Sequence, residues 1–202
     1  SDRARQAFEL DSEPDQLRER YGFVDKYNPM DPRRCSASAF NQRLLLARRL
    51  VEAGVRLVTV DCRWWDTHVE GVDSMKNGFL PRWDQSYSAL IDDLHQRGLL
   101  ATTMVLAWGE FGRTPRINKN GGRDHWGPLS SVVFSGGGLR VGQIVGASDR
   151  KGQAPTRNPY RPENVLAMVY RHLGIDPGLT FNDYTGRPVH ILPRRGLIGE
   201  LI

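Results

Sequence analysis

The segment that most constrains this chain is Ala101-Thr102-Thr103-Met104-Val105-Leu106-Ala107-Trp108, a nearly continuous apolar run without the alternation of a half-exposed strand. A run of that kind is expected of a central strand covered on both faces. Such a strand needs helices above and below it, and the flanking sequence supplies them. Phe40, Leu44, Leu45, Ala47, Leu50 and Val51 recur at helical spacing behind Ser36 or Ser38 as a cap, and Gly54 stops the segment. Tyr87, Leu90, Ile91 and Leu94 mark one face of a helix over Trp83–Arg97, with Gly98 beyond it. Pro162 opens a third helix whose Val165, Leu166, Val169, Tyr170 and Leu173 point inward, ended by Gly174.

Two further β-rich runs, Val55–Val60 and Ser131–Phe134, alternate with these helices. The order argues for an α/β fold with an open, mainly parallel sheet, whose ligand site lies at the carboxyl ends of the strands. Residues 1–35 are expected to be peripheral: a short helix over Ser1–Leu10, then extended connection from Asp11 to Arg34. The whole of 1–202 is expected to form a single domain, because 202 residues with 39% hydrophobic content suffice for one substantial core.

Several function classes are disfavoured at this point. No run approaches the ~18–20 apolar residues of a membrane span, and the first residues lack the basic-then-apolar order of a signal peptide. Cys35 and Cys62 alone do not make a disulfide framework. The net charge of +5 is carried mainly by arginine, with lysine only at Lys26, Lys76, Lys119 and Lys151. Guanidinium forks suit phosphate or sulfate, though a generally arginine-rich proteome gives the same bias, and the basic residues are too scattered for a nucleic-acid stripe. Gly136-Gly137-Gly138 lacks the spacing of a phosphate-cradling loop.

Three polar segments carry the candidate chemistry. Asp61 ends one expected strand and is followed by Asp66-Thr67-His68, offering carboxylate and imidazole donors of the kind zinc, manganese or iron accept. The alternative is that Asp66 caps a turn and His68 is a surface histidine. Glu110 lies between glycines at the mouth of the apolar run, in Gly109-Glu110-Phe111-Gly112-Arg113-Thr114-Pro115. Arg113 is placed there to hold an anionic oxygen, or else to pair with Glu110. In Gly121-Gly122-Arg123-Asp124-His125-Trp126-Gly127, adjacent Asp and His can face one metal on a loop though not on a regular strand. Asp124 orienting His125 without metal is the alternative. His95, His172 and His190 are read as structural, and Trp64-Trp65 as packing over the metal loop, with a sugar-binding surface as the alternative.

Together with Leu46-Ala47-Arg48-Arg49-Leu50-Val51-Glu52-Ala53-Gly54-Val55, the segments Trp65–His68, Gly109–Pro115 and Gly122–Trp126 resemble the family catalogued as domain of unknown function 1501. That family is grouped with sulfatase-like proteins of the alkaline phosphatase superfamily. The resemblance implies an alkaline phosphatase-like three-layer fold, a mainly parallel central sheet flanked by helices, here incomplete on its amino-terminal side. It implies a divalent metal, with zinc, manganese, calcium and magnesium all open, held by Asp61, Asp66, His68, Glu110, Asp124 and His125. Arg113 and Arg123 then offset developing charge on the substrate.

The implied activity is hydrolysis of sulfate or phosphate esters. The partner is an anionic ester substrate, a sulfated polysaccharide among the options, with neither nucleic acid nor a transmembrane segment involved. The resemblance also implies export to the periplasm or cell envelope. Three departures from the superfamily pattern stand out. Asp66 and His68 are closer in the chain than the first metal Asp and His of those enzymes, Glu110-Phe111 replaces the usual Asp-His pair, and no Ser, Thr or Cys has the strand-to-helix setting of the nucleophile. A non-catalytic envelope or polysaccharide-binding protein on the same scaffold is therefore the competing expectation, and a phosphomutase is a third.

Overall fold

A computed structural model describes residues 2–23, 40–62 and 65–202. The elements run α1 (Asp2–Gln6), α2 (Asp15–Tyr21), α3 (Phe40–Glu52), α4 (Gly71–Asp73), α5 (Leu80–Gln96), β1 (Met104–Trp108), β2 (Gly112–Arg113), β3 (His125–Trp126), β4 (Val132–Gly136), β5 (Ala147–Ser148), β6 (Pro155–Arg157), α6 (Pro162–His172), β7 (Thr180–Asn182) and β8 (Pro188–His190). The periodic segments gave the helices α3, α5 and α6 close to their expected bounds. The cap positions Ser36 and Ser38 lie outside the described residues.

β1 separates two apolar clusters. Val105 packs with Tyr21, Leu44, Leu45, Phe79, Leu90 and Leu94, the core built by α2, α3 and α5. Its neighbour Leu106 packs with Val132, Phe134, Val165, Met168, Ile198 and Leu201, the core under α6. Successive strand residues point to opposite faces, so one strand serves both cores. Apolar clusters therefore lie on both faces of β1, but the strand is not the covered central strand expected: among the described residues it has β4 as its one neighbour, its first four residues are half-buried and Trp108 is exposed.

The pairing differs from expectation. β1 and β4 run antiparallel, with Leu106 opposite Phe134, and all four ladders among the described residues are two-stranded and antiparallel. The mainly parallel pairing is not seen there. The physical reason lies in the connection: a parallel pair needs a crossover, usually a helix, and the chain between β1 and β4 carries only the small β2–β3 ladder.

Three local expectations are corrected. Val55–Val60 forms no strand, because β propensity becomes a strand only against a partner edge, and no ladder includes it; Val60 and Cys62 pack side-on to the first core. Ala101 and Thr102 belong to a turn closed by the Thr102 amide on the Leu99 carbonyl (3.1 Å), and β1 begins only at Met104. The stretch after Asp11 is not all extended, since α2 occupies Asp15–Tyr21 and Gly22 ends it at φ 85°. Nor is it peripheral, for Tyr21 is fully buried. Residues 24–34 lie outside the described residues.

α2, α3 and α5 are joined by charge as well as by apolar contact. Arg48, 1% exposed, reaches Glu13 at 2.7 Å and Asp93 at 2.8 Å and also pairs with Glu52. Arg97 donates to Asp93 (2.7 Å) and Glu52 (2.9 Å), and the Tyr21 hydroxyl donates to Asp93 (3.0 Å). Charges removed from water are tolerated only when paired and hydrogen-bonded, so this network fixes how the three helices meet.

Candidate metal centre

The first wall of the site is the turn Trp65–His68. The Trp65 ring stacks on Phe79 at 4.7 Å and meets Trp83 edge-on at 6.1 Å, which anchors the turn to the helical core. Its backbone folds tightly, with the Thr67 amide on the Trp65 carbonyl (3.1 Å) and the His68 amide on the Asp66 carbonyl (3.0 Å).

The second wall is the β2–β3 ladder. Arg113 stands opposite His125, and the Thr114 amide donates to the Asp124 carbonyl at 2.8 Å. Residues opposed in this way share a face of the ladder. Both reach the same carboxylate: Arg113 Nη2 lies 2.8 Å and His125 Nε2 3.1 Å from Asp66 Oδ1. Phe111 backs His125, ring to ring at 4.3 Å.

The loop from Ile117 to Arg123 closes one wall on the other. Asn118 Nδ2 donates to the His68 carbonyl (3.0 Å) and to Asp124 Oδ1 (3.1 Å), while its Oδ1 accepts from the Asn120 and Gly122 amides. The Arg123 amide donates to the Thr67 carbonyl (3.0 Å). Gly122 is required by contact, since a Cβ there would fall 2.1 Å from the His68 carbonyl carbon and oxygen.

Between these walls three donor atoms form a nearly equilateral triangle. His68 Nε2 is 3.0 Å from Asp66 Oδ1, His125 Nε2 is 3.1 Å from it, and the two Nε2 atoms are 3.1 Å apart. Asp124 Oδ1 sits 2.7 Å from His68 Nδ1. A carboxylate only accepts, so the Nδ1 of His68 carries the proton and, in the neutral ring, Nε2 presents its lone pair to the triangle.

Protons alone cannot satisfy all three edges. Protonating both imidazoles serves the two edges to Asp66 but sets two N–H groups against each other. One cation answers all three lone pairs, and donors bonded to a common ion at about 2.0–2.2 Å stand roughly 3 Å apart. Asp66, His68 and His125 are the residues that could hold a divalent metal of the zinc, iron or manganese kind, and Asp124 would then be the carboxylate behind His68. Both carboxyls are held below the usual aspartate range. For Asp66 the causes are hydrogen bonds from Arg113 and then His125; for Asp124 they are hydrogen bonds from His68 and then Asn118.

Of the expected site residues, Asp66, His68 and His125 converge, and Asp124 and Arg113 touch them. Asp61 and Glu110 are exposed and lie outside the converging group. Glu110 is not the partner of Arg113, which is taken by Asp66. The Asp61 carbonyl accepts from Arg43 at 3.0 Å. Arg123 directs Nη1 to the Thr114 and Pro115 carbonyls (2.6 and 2.8 Å), so it fastens the loop more than it faces the donors. Asn118 was not anticipated; its signal was the polar, glycine-closed run Asn118-Lys119-Asn120-Gly121-Gly122, a turn pattern with side-chain acceptors.

Across residues 1–202 the chain matches the family described as "Protein of unknown function (DUF1501)". It belongs to this family. No curated protein and no solved structure matches it. In this DUF1501 chain three of the four motif segments, Trp65–His68, Gly109–Pro115 and Gly122–Trp126, meet at one place. The fourth, Leu46–Val55, lies on α3 and beyond, and supplies Arg48 and Glu52 of the buried network instead. No helix among the described residues is long and apolar enough to cross a membrane.

Proposed function

We propose that the Asp66–His68–His125 triangle is a divalent-metal centre, and that the chain is the carboxyl-terminal portion of a sulfatase-like hydrolase of sulfate or phosphate esters. The observation that carries this reading is the meeting of three ligand-type atoms at 3.0–3.1 Å, with Asp124 at Nδ1 of one of the two imidazoles. An alkaline phosphatase-like three-layer scaffold and export to the cell envelope belong to the same proposal. The apolar clusters on both faces of β1 support the scaffold.

A cation bound there supplies Lewis-acid stabilisation to an ester oxygen. The chain's own residues do the rest. Asp66, His68 and His125 hold the ion, and Asp124 keeps Nε2 of His68 deprotonated and aimed. Arg113, ion-paired to Asp66 at 2.8 Å, sets a fixed positive charge where an anionic oxygen approaches. A second reading, a non-catalytic polysaccharide-binding protein, is favoured by Glu110 standing outside the converging group, which leaves no second donor cluster among the described residues for the second ion of a two-metal hydrolase.

Inductively coupled plasma analysis of protein purified without chelator tests the centre. About one metal per chain is expected, lost in both His68→Ala and His125→Ala; unchanged content in both variants refutes it. Turnover of 4-nitrophenyl sulfate or phosphate by the full-length parent supports hydrolysis, whereas metal without turnover supports the binding reading.

A further inference from the structure

Beside the triangle lies a groove of about 840 Å³. One wall comes from the helical rod that contains α4 and α5. Between them Ser74–Phe79 forms a π turn, one residue wider than an α turn. Pro81 explains it, having no N–H to give the carbonyl four residues back and a ring that crowds it. Such widened turns are frequent at functional sites, and this one brings Met75 and Lys76 to the groove beside Leu80 and Trp83. The facing wall is Ile117 and Arg123. Leu80 and Ile117 remain 45% and 53% exposed, so an apolar wall stands open to water.

The groove runs to the triangle. Thr67, between Asp66 and His68 in the chain, lines it, and so does Arg113, whose guanidinium holds Asp66. Its charged lining is Lys76, Arg113 and Arg123 against Asp84 alone. The walls therefore combine an apolar floor with a cationic end.

We propose that this groove binds the organic half of an amphiphilic anionic ester, an aryl or medium-chain alkyl sulfate or phosphate, with its charged head at Arg113. This rests on the reading of the triangle as an ester-processing metal centre and narrows its substrate class. The apolar body lies along Met75, Leu80, Trp83 and Ile117, where the water it displaces is the source of affinity. A sulfated polysaccharide fits less well. Its hydroxyls find few polar partners on these walls, and the Trp83 ring that could stack on a sugar is already stacked on Tyr87 at 4.7 Å.

Calorimetric titration of the full chain with 2-naphthyl sulfate, inorganic sulfate, 2-naphthol and dextran sulfate tests it, on zinc-loaded and on chelator-treated protein. 2-Naphthyl sulfate is expected to bind about tenfold or more tighter than inorganic sulfate or 2-naphthol. Leu80→Ser and Ile117→Ser, both at exposed positions on different elements, should each weaken it roughly three- to tenfold. Inorganic sulfate binding, metal content and thermal midpoint should stay unchanged in both. Naphthyl sulfate no tighter than inorganic sulfate, or unaffected by both substitutions, overturns the proposal. So does dextran sulfate being the ligand those substitutions weaken. Metal content separates the two readings: a chain without metal that binds naphthyl sulfate through Leu80 and Ile117 keeps the groove and refutes the metal centre, and a metal-loaded chain without that preference does the reverse.

Discussion

Asp124 holds the ring of His68, 56 positions away in the chain, at 2.7 Å, and not the ring of its own neighbour His125. Adjacent side chains on β3 and its approach point apart, so Asp124 and His125 reach His68 from different sides: one at Nδ1, the other at Nε2. On the proposed reading, the contact lets an Asp-His dipeptide serve the site with His125 as a donor and Asp124 behind His68.

Asp124→Asn should therefore weaken the metal without removing a ligand. An amide can turn its N–H₂ toward Nδ1 and favour the wrong tautomer, and loss of such a backing group typically costs ~10–100-fold in metal affinity. Competition against a zinc-binding dye reads this directly, with far-UV circular dichroism as the control. Affinity equal to that of the unmodified chain would count against the role given to Asp124.

Asp61 and Glu110 should behave differently from the triangle. Asp61→Ala and Glu110→Ala are expected to retain about one metal per chain, because neither side chain belongs to the converging donors. A stoichiometry near two, reduced by Glu110→Ala, would show that a second ion is bound.

Gly122→Ala probes the loop closure. With a Cβ set 2.1 Å from the His68 carbonyl, the loop has to retreat from the turn that carries two of the three donors. Metal affinity is expected to drop on the order of tenfold or more, while the core of α3 and α5, built from other residues, keeps its circular dichroism.

The buried ion network sets the stability of the helical side. Arg48→Ala removes the buried guanidinium that Glu13 and Asp93 share and leaves them to Arg49 and Arg97, so the loss should fall below the roughly 3–5 kcal/mol of a fully uncompensated buried charge, measurable by urea unfolding. Burial raises the Glu13 carboxyl, but the Arg48 and Arg49 guanidiniums outweigh this and hold it below its ordinary value of 4.5. A group more acidic in the folded chain stabilises above its unfolded value and loses that contribution as pH falls through the folded one. Tyr21 has the opposite sense. Burial, then the nearby Asp93, push its hydroxyl above the ordinary 10.0, so its contribution is full below that pH and declines as pH rises beyond it. Glu13→Gln should flatten the acid limb of the urea midpoint against pH, and Tyr21→Phe the alkaline limb.

What the sequence disclosed follows from how local each signal is. α3, α5 and α6 were legible because four or more apolar residues repeat at helical spacing and a Gly or Pro marks an end. α2 was missed because Leu17 and Tyr21 are its only apolar pair, too few to show a period. Val55–Val60 was misread because strand formation depends on a partner that no local pattern reveals. In the site, Asp66, His68 and His125 were visible as residue types near expected strand ends. That Glu110 would fall aside and Asn118 would tie the walls together depended on contacts across the fold.

The Val69–Gly121 bridge and the crossing of His68 to His125 close a circuit of 57 positions that contains α4, α5 and β1. Closing a loop of that length carries an entropic cost that is met only once the enclosed elements are in place. A cation recognising the closed form alone adds to its stability by mass action, about 2.7 kcal/mol at a concentration a hundredfold above its dissociation constant. If the triangle holds the proposed cation, its occupancy becomes a gauge of whether α5 and β1 are seated, and substitutions far from any donor, at Leu94 or Val105, are expected to register as a loss of cation.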